Sequence, residues 1–481
     1  MNIPETISLS SWLVILLIAL YVAMIVSSVV VVLKENRNPI RALSWVVALI
    51  FLPGVGLVFY LFFGRSLKGL TMISRHNKRK LMHRHTPKRV DIAELELDNG
   101  IRNLVKLAHN LSGGPLTVNN EIDIFTDGLS KFDSLKSDLK NARKSILLQY
   151  YIFLDDSIGN EVADILIDRA QNGVAVKVIY DHVGSFSAKK SFFKRMEAAG
   201  VETHPFFRVN FPQLANRINW RNHRKIVVID GEIGYIGGMN VADRYIDGLQ
   251  NGDVWRDTHF RVKGDIVESL LYSFAIDWNF LKKKQYIPHI EPVHGVTRNS
   301  TGVQLVTSGP IDRWNNLSLV FLKAILSARK SVYIQTPYFL PTDALMNALQ
   351  AAALSKIDVR IMMPEKTDSA LLHYASFSYV TQCLKAGIKV YLYTPGMLHA
   401  KAMIIDDTLV TAGSTNFDFR SFENNFECNL LIYDAPINAK MREIFFDDLK
   451  RCRKVTLEQW RKRPLSQRLL ESLLRPISPL L

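Results

Sequence analysis

His223-Arg224-Lys225-Ile226-Val227-Val228-Ile229-Asp230 and His399-Ala400-Lys401-Ala402-Met403-Ile404-Ile405-Asp406 are two copies of one pattern, H-x-K-x4-D. Each copy runs on at the same distance to a Gly-x-x-Asn, from Gly237 to Asn240 and from Gly413 to Asn416. One such pattern is a weak signal, since it asks for common residues at three positions. Two copies with the same continuation point to two half-sites that meet in one site with two histidines and two lysines. The short apolar run that separates lysine from aspartate reads as a buried strand. Residues two apart along a strand point the same way, so His and Lys of each copy face one cleft together. The glycine-rich segment that follows lets backbone approach a ligand closely.

Working outward, the similarity continues upstream of each copy. Ala142-Arg143-Lys144-Ser145-Ile146 returns as Ala328-Arg329-Lys330-Ser331-Val332, with Gln149 and Phe153 matched by Gln335 and Phe339. Val176-Lys177-Val178-Ile179 matches Val359-Arg360-Ile361-Met362, and Ala199-Gly200-Val201 matches Ala386-Gly387-Ile388. The first strands correspond too, Ile124-Phe125-Thr126-Asp127-Gly128 with Leu305-Val306-Thr307-Ser308-Gly309. Similarity in fixed order at a period of roughly 176 to 187 residues marks a duplication, and the period suits two domains rather than a solenoid. Short β-branched runs at 145–152, 174–180 and 225–229 read as strands, and 160–171 and 343–354 as helices. The alternation predicts an α/β fold with a mixed sheet flanked by helices in each half.

A phosphodiester is anionic and repels anionic nucleophiles. A neutral imidazole avoids that repulsion and can form a covalent phosphohistidine. Two lysines can neutralise the non-bridging oxygens, the work a metal does in many phosphoryl-transfer sites. The second histidine can protonate the leaving alkoxide and then activate the acceptor. One histidine must start neutral and the other protonated. Lysines favour the first state, and a carboxylate behind the ring favours the second. The sequence ranks neither His223 nor His399 decisively as nucleophile; we take His223. The motif aspartates Asp230 and Asp406 are counted with the catalytic set, although bracing the fold is an equal use for them.

The double motif resembles the HKD motif of the phospholipase D superfamily, and over its full length the chain resembles the bacterial cardiolipin synthases of that superfamily. The resemblance implies two tandem phospholipase D-like domains related by a pseudo-twofold axis. It implies transfer of a phosphatidyl group, without metal or other cofactor, between two phosphatidylglycerol molecules, giving cardiolipin and glycerol. His223 and His399 would then be the nucleophile and acid/base pair. Lys225, Lys401, Asn240, Asn416 and Ser414 would hold the phosphate. Related enzymes carry a carboxylate behind each histidine, for which Glu427 has a suitable spacing. In the first half Asn251 occupies the equal spacing, so Asp257 is the candidate. One departure from the family pattern is Gly238, which stands where the second half has Ser414.

The N-terminus reads as membrane. Residues 6–33 and 42–64 hold no charged residue, and each stretch exceeds the roughly 20 residues that span a bilayer. Trp12, Trp45 and Tyr60 sit near the expected interfaces. A cleaved signal peptide fits poorly, because no basic segment precedes the first stretch. Pro53-Gly54 interrupts the second stretch, as a kink or a re-entrant turn. Nine Lys/Arg and no acid fall in residues 65–89, and nine Lys/Arg with two acids in residues 450–481. Those flanks account for the net charge of +15, and the rest of the chain is near neutral. A nucleic-acid enzyme would spread its cations over the substrate channel. Cationic flanks beside apolar spans point instead to anionic phospholipid headgroups, with no nucleic acid partner. By the positive-inside rule both catalytic halves face the cytoplasm from a multi-pass position in the bacterial cell (inner) membrane.

The expected organisation is therefore two transmembrane helices (1–64), a basic juxtamembrane linker and helix (65–117), a first phospholipase D-like domain (118–294), a second (301–450) and a basic amphipathic tail (451–481). A membrane-tethered phosphodiesterase that hydrolyses phospholipid, or less readily nucleic acid, shares the first chemical step and is the alternative. Cys383, Cys428 and Cys452 are odd in number and scattered, which suggests no disulfide framework. His83 and His85 read as solvated residues of a basic linker. Tyr150, Tyr151 and Tyr338 follow corresponding strands and are candidates for the cleft or, more readily, the core. Asp181-His182-Val183-Gly184-Ser185 reads as a loop near the site, with His182 structural.

Overall fold

The computed structural model describes residues 9–35, 39–52, 55–56, 60, 72, 97–209, 219–248, 253–281, 286 and 301–480. The basic flank 65–89 with His83 and His85, apart from Met72, lies outside them, as does Asn251.

Each motif strand sits in the middle of a mixed sheet. In the first half seven strands run, edge to edge, Asn120–Phe125, His259–Gly264, Ile233–Gly237, Ile226–Ile229, Ser145–Tyr150, Ala175–Asp181 and Glu202–Phe206. In the second half the same order returns as Gly302–Ser308, Glu427–Tyr433, Leu409–Gly413, Ala402–Ile405, Ser331–Gln335, Asp358–Pro364 and Lys389–Tyr393. The duplication read from sequence is thus a duplication of topology. Strands on one side of the motif pair antiparallel, and those on the other pair parallel through helical crossovers. The central strands are buried on both faces, which is why they read as continuous apolar runs without alternation.

The second sheet is longer than its sequence boundaries. Leu116–Thr117, placed by sequence in the linker, pairs antiparallel with Gly302–Ser308 at one edge. Cys452–Val455, placed in the tail, pairs with Lys389–Tyr393 at the other. Helix Asn99–Ser112 also belongs here. It buries Ile101, Leu104, Val105 and Ala108 at helical spacing and packs on helix Asn316–Ser327. These additions cover edges that would otherwise expose unpaired backbone groups.

In the N-terminal segment, helix Leu9–Glu35 packs on helix Pro39–Phe51. Trp45 meets Tyr60 edge-on, with ring centroids 5.3 Å apart. Among the described residues, the second apolar stretch does not continue as one helix past the proline that interrupts it in the sequence. Its helix has 13 residues and stops at Phe51, because Leu52 precedes Pro53 and is disfavoured in the α region. In the first helix the longest run of described side chains is 12–23. Among the described residues no helix is long and apolar enough to cross a membrane.

Candidate active site

The two histidines are placed by short parallel pairings that reach across the halves. Gly396–Leu398, just before His399, pairs with Val254–Arg256 of the first half, and the His399 N–H donates to Arg256 O at 2.7 Å. Asn222, just before His223, bridges to Phe426 of the second half, and the His223 N–H donates to Phe426 O at 2.9 Å. The residue after each of those partners is an acid. Asp257 Oδ2 therefore lies 2.6 Å from His399 Nδ1, and Glu427 Oε1 and Oε2 lie 3.0 and 3.1 Å from His223 Nδ1. Each imidazole is backed by the carboxylate of the other half. The contacts are reciprocal, as a pseudo-twofold relation requires.

Both carboxylates named from sequence are in place. Backbone register shows why Asp257, not Asn251, matches Glu427: Gly237 pairs with His259 and Gly413 with Asn429, so Asp257 and Glu427 each precede their strand partner by two. Extra residues between Asn240 and Asp257 break the equal spacing without changing the register. Gly238 is explained by the same geometry. A Cβ at Gly238 would lie 2.1 Å from Asp257 Oδ1, whereas the longer Glu427 leaves room for Ser414.

Lys225 Nζ donates to His223 O at 2.7 Å, and Lys401 Nζ donates to His399 O. Lys401 Nζ is also 2.7 Å from His399 Nδ1, but Nδ1 cannot donate to Asp257 and accept from an ammonium at once. The Nδ1–H to carboxylate bond is the one consistent with an ionised Asp257, 3.9 Å from Lys401. With Nδ1 so engaged on both rings, Nε2 is the atom left for chemistry.

Burial dominates the electrostatics. It holds His223 below the usual imidazole value, with Glu427 opposing and Lys225 assisting. It brings His399 down to about 4, with Lys401 assisting and Asp257 opposing. Lys225 is pushed down to about 7 and Lys401 to about 8, again by burial, although the carboxylates pull both upward. Burial raises the two acids, but Lys401 and His399 outweigh it at Asp257, and His223 and Lys225 at Glu427, so both stay below the usual carboxylate range. The site thus combines two carboxylates, two imidazoles that favour the neutral form and two easily discharged ammonium groups.

Other residues named from sequence fall in different places. Asn240 accepts from the Ile152 N–H at 3.1 Å and donates to Tyr245 at 2.6 Å. Asn416 bonds Asp418 through its side chain and leaves Oδ1 without a donor among the described residues. The Ser414 hydroxyl donates to Glu427, so it steadies the acid rather than a phosphate. Asp230 and Asp406 are not in the cleft. They stand at the far ends of their strands, about 16 Å along the chain from the lysines. Asp230 accepts the N–H groups of Arg143, Lys144 and Ser145 at 2.7–2.9 Å, and Asp406 those of Arg329, Lys330 and Ser331 at 2.7–2.8 Å. Both adopt positive φ, 55° and 50°, and close a turn onto the neighbouring strand. These contacts fit bracing, the second of the two uses the sequence allowed them.

Tyr150 is core, donated to by buried Lys131, while Tyr151 stands edge-on to His223 with centroids 4.9 Å apart. Tyr338 donates to Asp368. Asp181 caps its own loop and pairs with Arg221, and Ser185 supports the Tyr151 backbone. His182 faces Phe186. The three cysteines are free, with thiols pushed up to about 12 by burial.

Sequence reasoning missed a pair of buried anchors under the histidines. Arg224 binds both oxygens of Asp277 at 2.8 Å, joined by Gln149 at 2.6 Å and Asn222 at 2.9 Å. In the second half Asp448 takes the same place, bound by Gln335 at 2.8 Å, but its arginine is Arg256, from the first half. The position equivalent to Arg224 is Ala400, and that equivalent to Arg256 is Phe426. The repeated Gln149 and Gln335 were the only signal for this network in the sequence.

Comparison with known proteins follows the same lines. The family described as cardiolipin synthase, phospholipase D-like domain, matches residues 135–269 and 321–449, once in each half. The family described as phospholipase D-nuclease N-terminal matches residues 22–65. The major cardiolipin synthase ClsA of Bacillus subtilis (strain 168) is 38% identical, over 97% of this chain and 99% of its own length. The cardiolipin synthase of Listeria monocytogenes (serotype 4a, strain HCC23) is 36% identical, over 97% and 99%. The crystal structure of phosphatidylserine synthase from Haemophilus influenzae covers 79% of this chain and 100% of its own, with a TM-score of 0.60 and 15% identity, a likeness of fold. With its motif-bearing halves matched in turn and its full length shared with these relatives, the chain belongs to the cardiolipin synthase family of phospholipase D-like proteins.

Proposed function

We propose that the protein is a cardiolipin synthase, transferring the phosphatidyl group of one phosphatidylglycerol to the terminal hydroxyl of another. The observation that carries this reading is the pair of imidazoles, each with its own lysine and a carboxylate crossed over from the other half. The Glu427 charge is shared with Ser414 and Asn425, which leaves His223 the less closely held ring, and we assign it as nucleophile. His399, held closely by Asp257, is the acid and base. Nε2 of His223 attacks phosphorus, the bond to glycerol oxygen breaks, and that oxygen takes the Nε2 proton of His399. The hydroxyl of the second lipid then gives its proton to His399 and displaces the histidine, so the N–P bond breaks and cardiolipin leaves. Lys225 and Lys401 meet the phosphate oxygens. An incoming phosphodiester anion raises their proton affinity and that of His399, which favours the protonated acid that the first step needs.

The apolar side chains Trp12–Val22, exposed on their helix, support insertion of the N-terminal segment into a bilayer. The cationic flank that follows supports cytoplasmic catalytic halves. Cysteine-accessibility labelling from either side of the membrane tests the orientation, and labelling of the catalytic halves from outside would reverse it. The reaction is tested by mixing detergent-solubilised protein with phosphatidylglycerol and EDTA and reading products by mass spectrometry. Cardiolipin plus glycerol, lost in His223→Ala and in His399→Ala, is the expected result. Phosphatidic acid alone would make water the acceptor and the protein a hydrolase.

A further inference from the structure

Away from the histidines, the tail folds into helices Leu457–Arg461 and Leu465–Leu474, which pack on Val380–Lys385 and Ala370–Phe377. A cavity of about 280 Å³ opens in this packing. Lys385, Arg461, Arg463, Arg468 and Arg475 line it, against a single carboxylate, Glu471. Glu471 is taken by Arg463, which also stacks 3.4 Å over the Trp460 ring. Arg475 is held by Ser378 O and Gln382. Lys385, Arg461 and Arg468 have no acid partner among the described residues. Trp460 is 4% exposed, and its indole N–H has no acceptor among them. The cavity therefore gathers more positive charge than its one carboxylate balances.

A second feature adjoins it. Leu465, Leu469 and Leu473 recur every fourth residue along the last helix and are 66%, 55% and 72% exposed. Arg468 and Ser472 line the cavity from the neighbouring stripe, about 100° round the same helix, and Arg475 follows at its C-terminus. A soluble phosphate needs the cations but not an exposed leucine stripe beside them. A lipid needs both.

We propose that this cavity binds the phosphate of an anionic phospholipid whose acyl chains lie along the leucine stripe, at a site separate from the histidine pair. The site keeps the catalytic halves on anionic membrane and does not depend on the transfer reaction.

The test uses the full chain in mixed micelles with a photoactivatable phosphatidylglycerol, mapping the labelled peptides by mass spectrometry. Label is expected on the segments around Lys385 and 461–475, absent with a phosphatidylcholine probe and unaffected by excess inorganic phosphate. Arg461→Glu with Arg468→Glu lowers that label at least about tenfold. Label beside His399 stays unchanged, which also reports an intact fold. Equal label from phosphatidylcholine, or label indifferent to the double reversal, overturns the proposal. Displacement by inorganic phosphate overturns the lipid and assigns the cavity to a soluble anion. Labelling needs no turnover, so a failure of the transferase reading leaves this result standing.

Discussion

Lys225 and Lys401 owe their low proton affinity to burial, and this has a kinetic consequence. In the free enzyme, charge on the lysines is lost as pH rises through about 7 to 8, so kcat/KM falls there. A bound phosphodiester anion stabilises the ammonium forms, so kcat falls at higher pH than kcat/KM does. Initial rates across the neutral and alkaline range check this, and coincident alkaline limbs would mean that the lysines do not touch the phosphate. The crossed acids make a second prediction. Asp257→Asn should behave like a His399 variant and Glu427→Gln like a His223 variant, each losing roughly 10² to 10⁴ in rate. A phosphatidyl ester of p-nitrophenol, whose leaving group needs no proton, separates them: Asp257→Asn accumulates phosphohistidine on rapid quench, and Glu427→Gln does not. Accumulation in the opposite variant would exchange the roles. At this scale the sequence was legible where chemistry repeats. Histidines and lysines could be named from spacing and the two acids only through the family resemblance, Asp257 against the equal spacing, but not which acid serves which ring, because crossing is a property of how halves meet. The aspartates were ambiguous in the sequence, since a residue that recurs in a motif can recur for the turn it closes.

Strands and turns carry the next predictions. Asp230 accepts three backbone donors that begin the adjacent strand. Asp230→Ala leaves them unpaired and should cost about 1–3 kcal/mol of stability, with kcat of the folded protein unchanged. Denaturant unfolding beside an activity assay checks both halves of that statement, and a kcat loss with unchanged stability would return Asp230 to the catalytic set. Arg256→Ala strips Asp448 of its arginine and should cost about 3–5 kcal/mol. Adding Ala400→Arg restores the arrangement seen at Arg224 and should recover part of it, whereas no recovery would show that the two positions do not serve one acid. The central strands and the crossover helix Asp343–Leu354 were readable because burial on both faces writes long apolar runs. The sheet edges were not, since Leu116–Thr117 is too short to show any period and Cys452–Val455 is half cationic. The second apolar stretch was read as one span, yet its helix ends ahead of Pro53.

At the scale of the molecule, the two halves complete each other within one chain. Mixing His223→Ala protein with His399→Ala protein should therefore restore no cardiolipin synthesis, and recovery would place the working site between chains. Duplication, period and fold class were all readable in the sequence. What the sequence hid is how far the duplicates have diverged into complementary parts. Asp277 takes its arginine from its own half and Asp448 takes one from across the interface. Two copies of the first half would crowd Arg224 and Arg256 onto each acid. Two copies of the second would offer only Ala400 and Phe426, and no cation at all. Neither half can any longer stand in for the other, so loss of one copy could not be made good by doubling its sister.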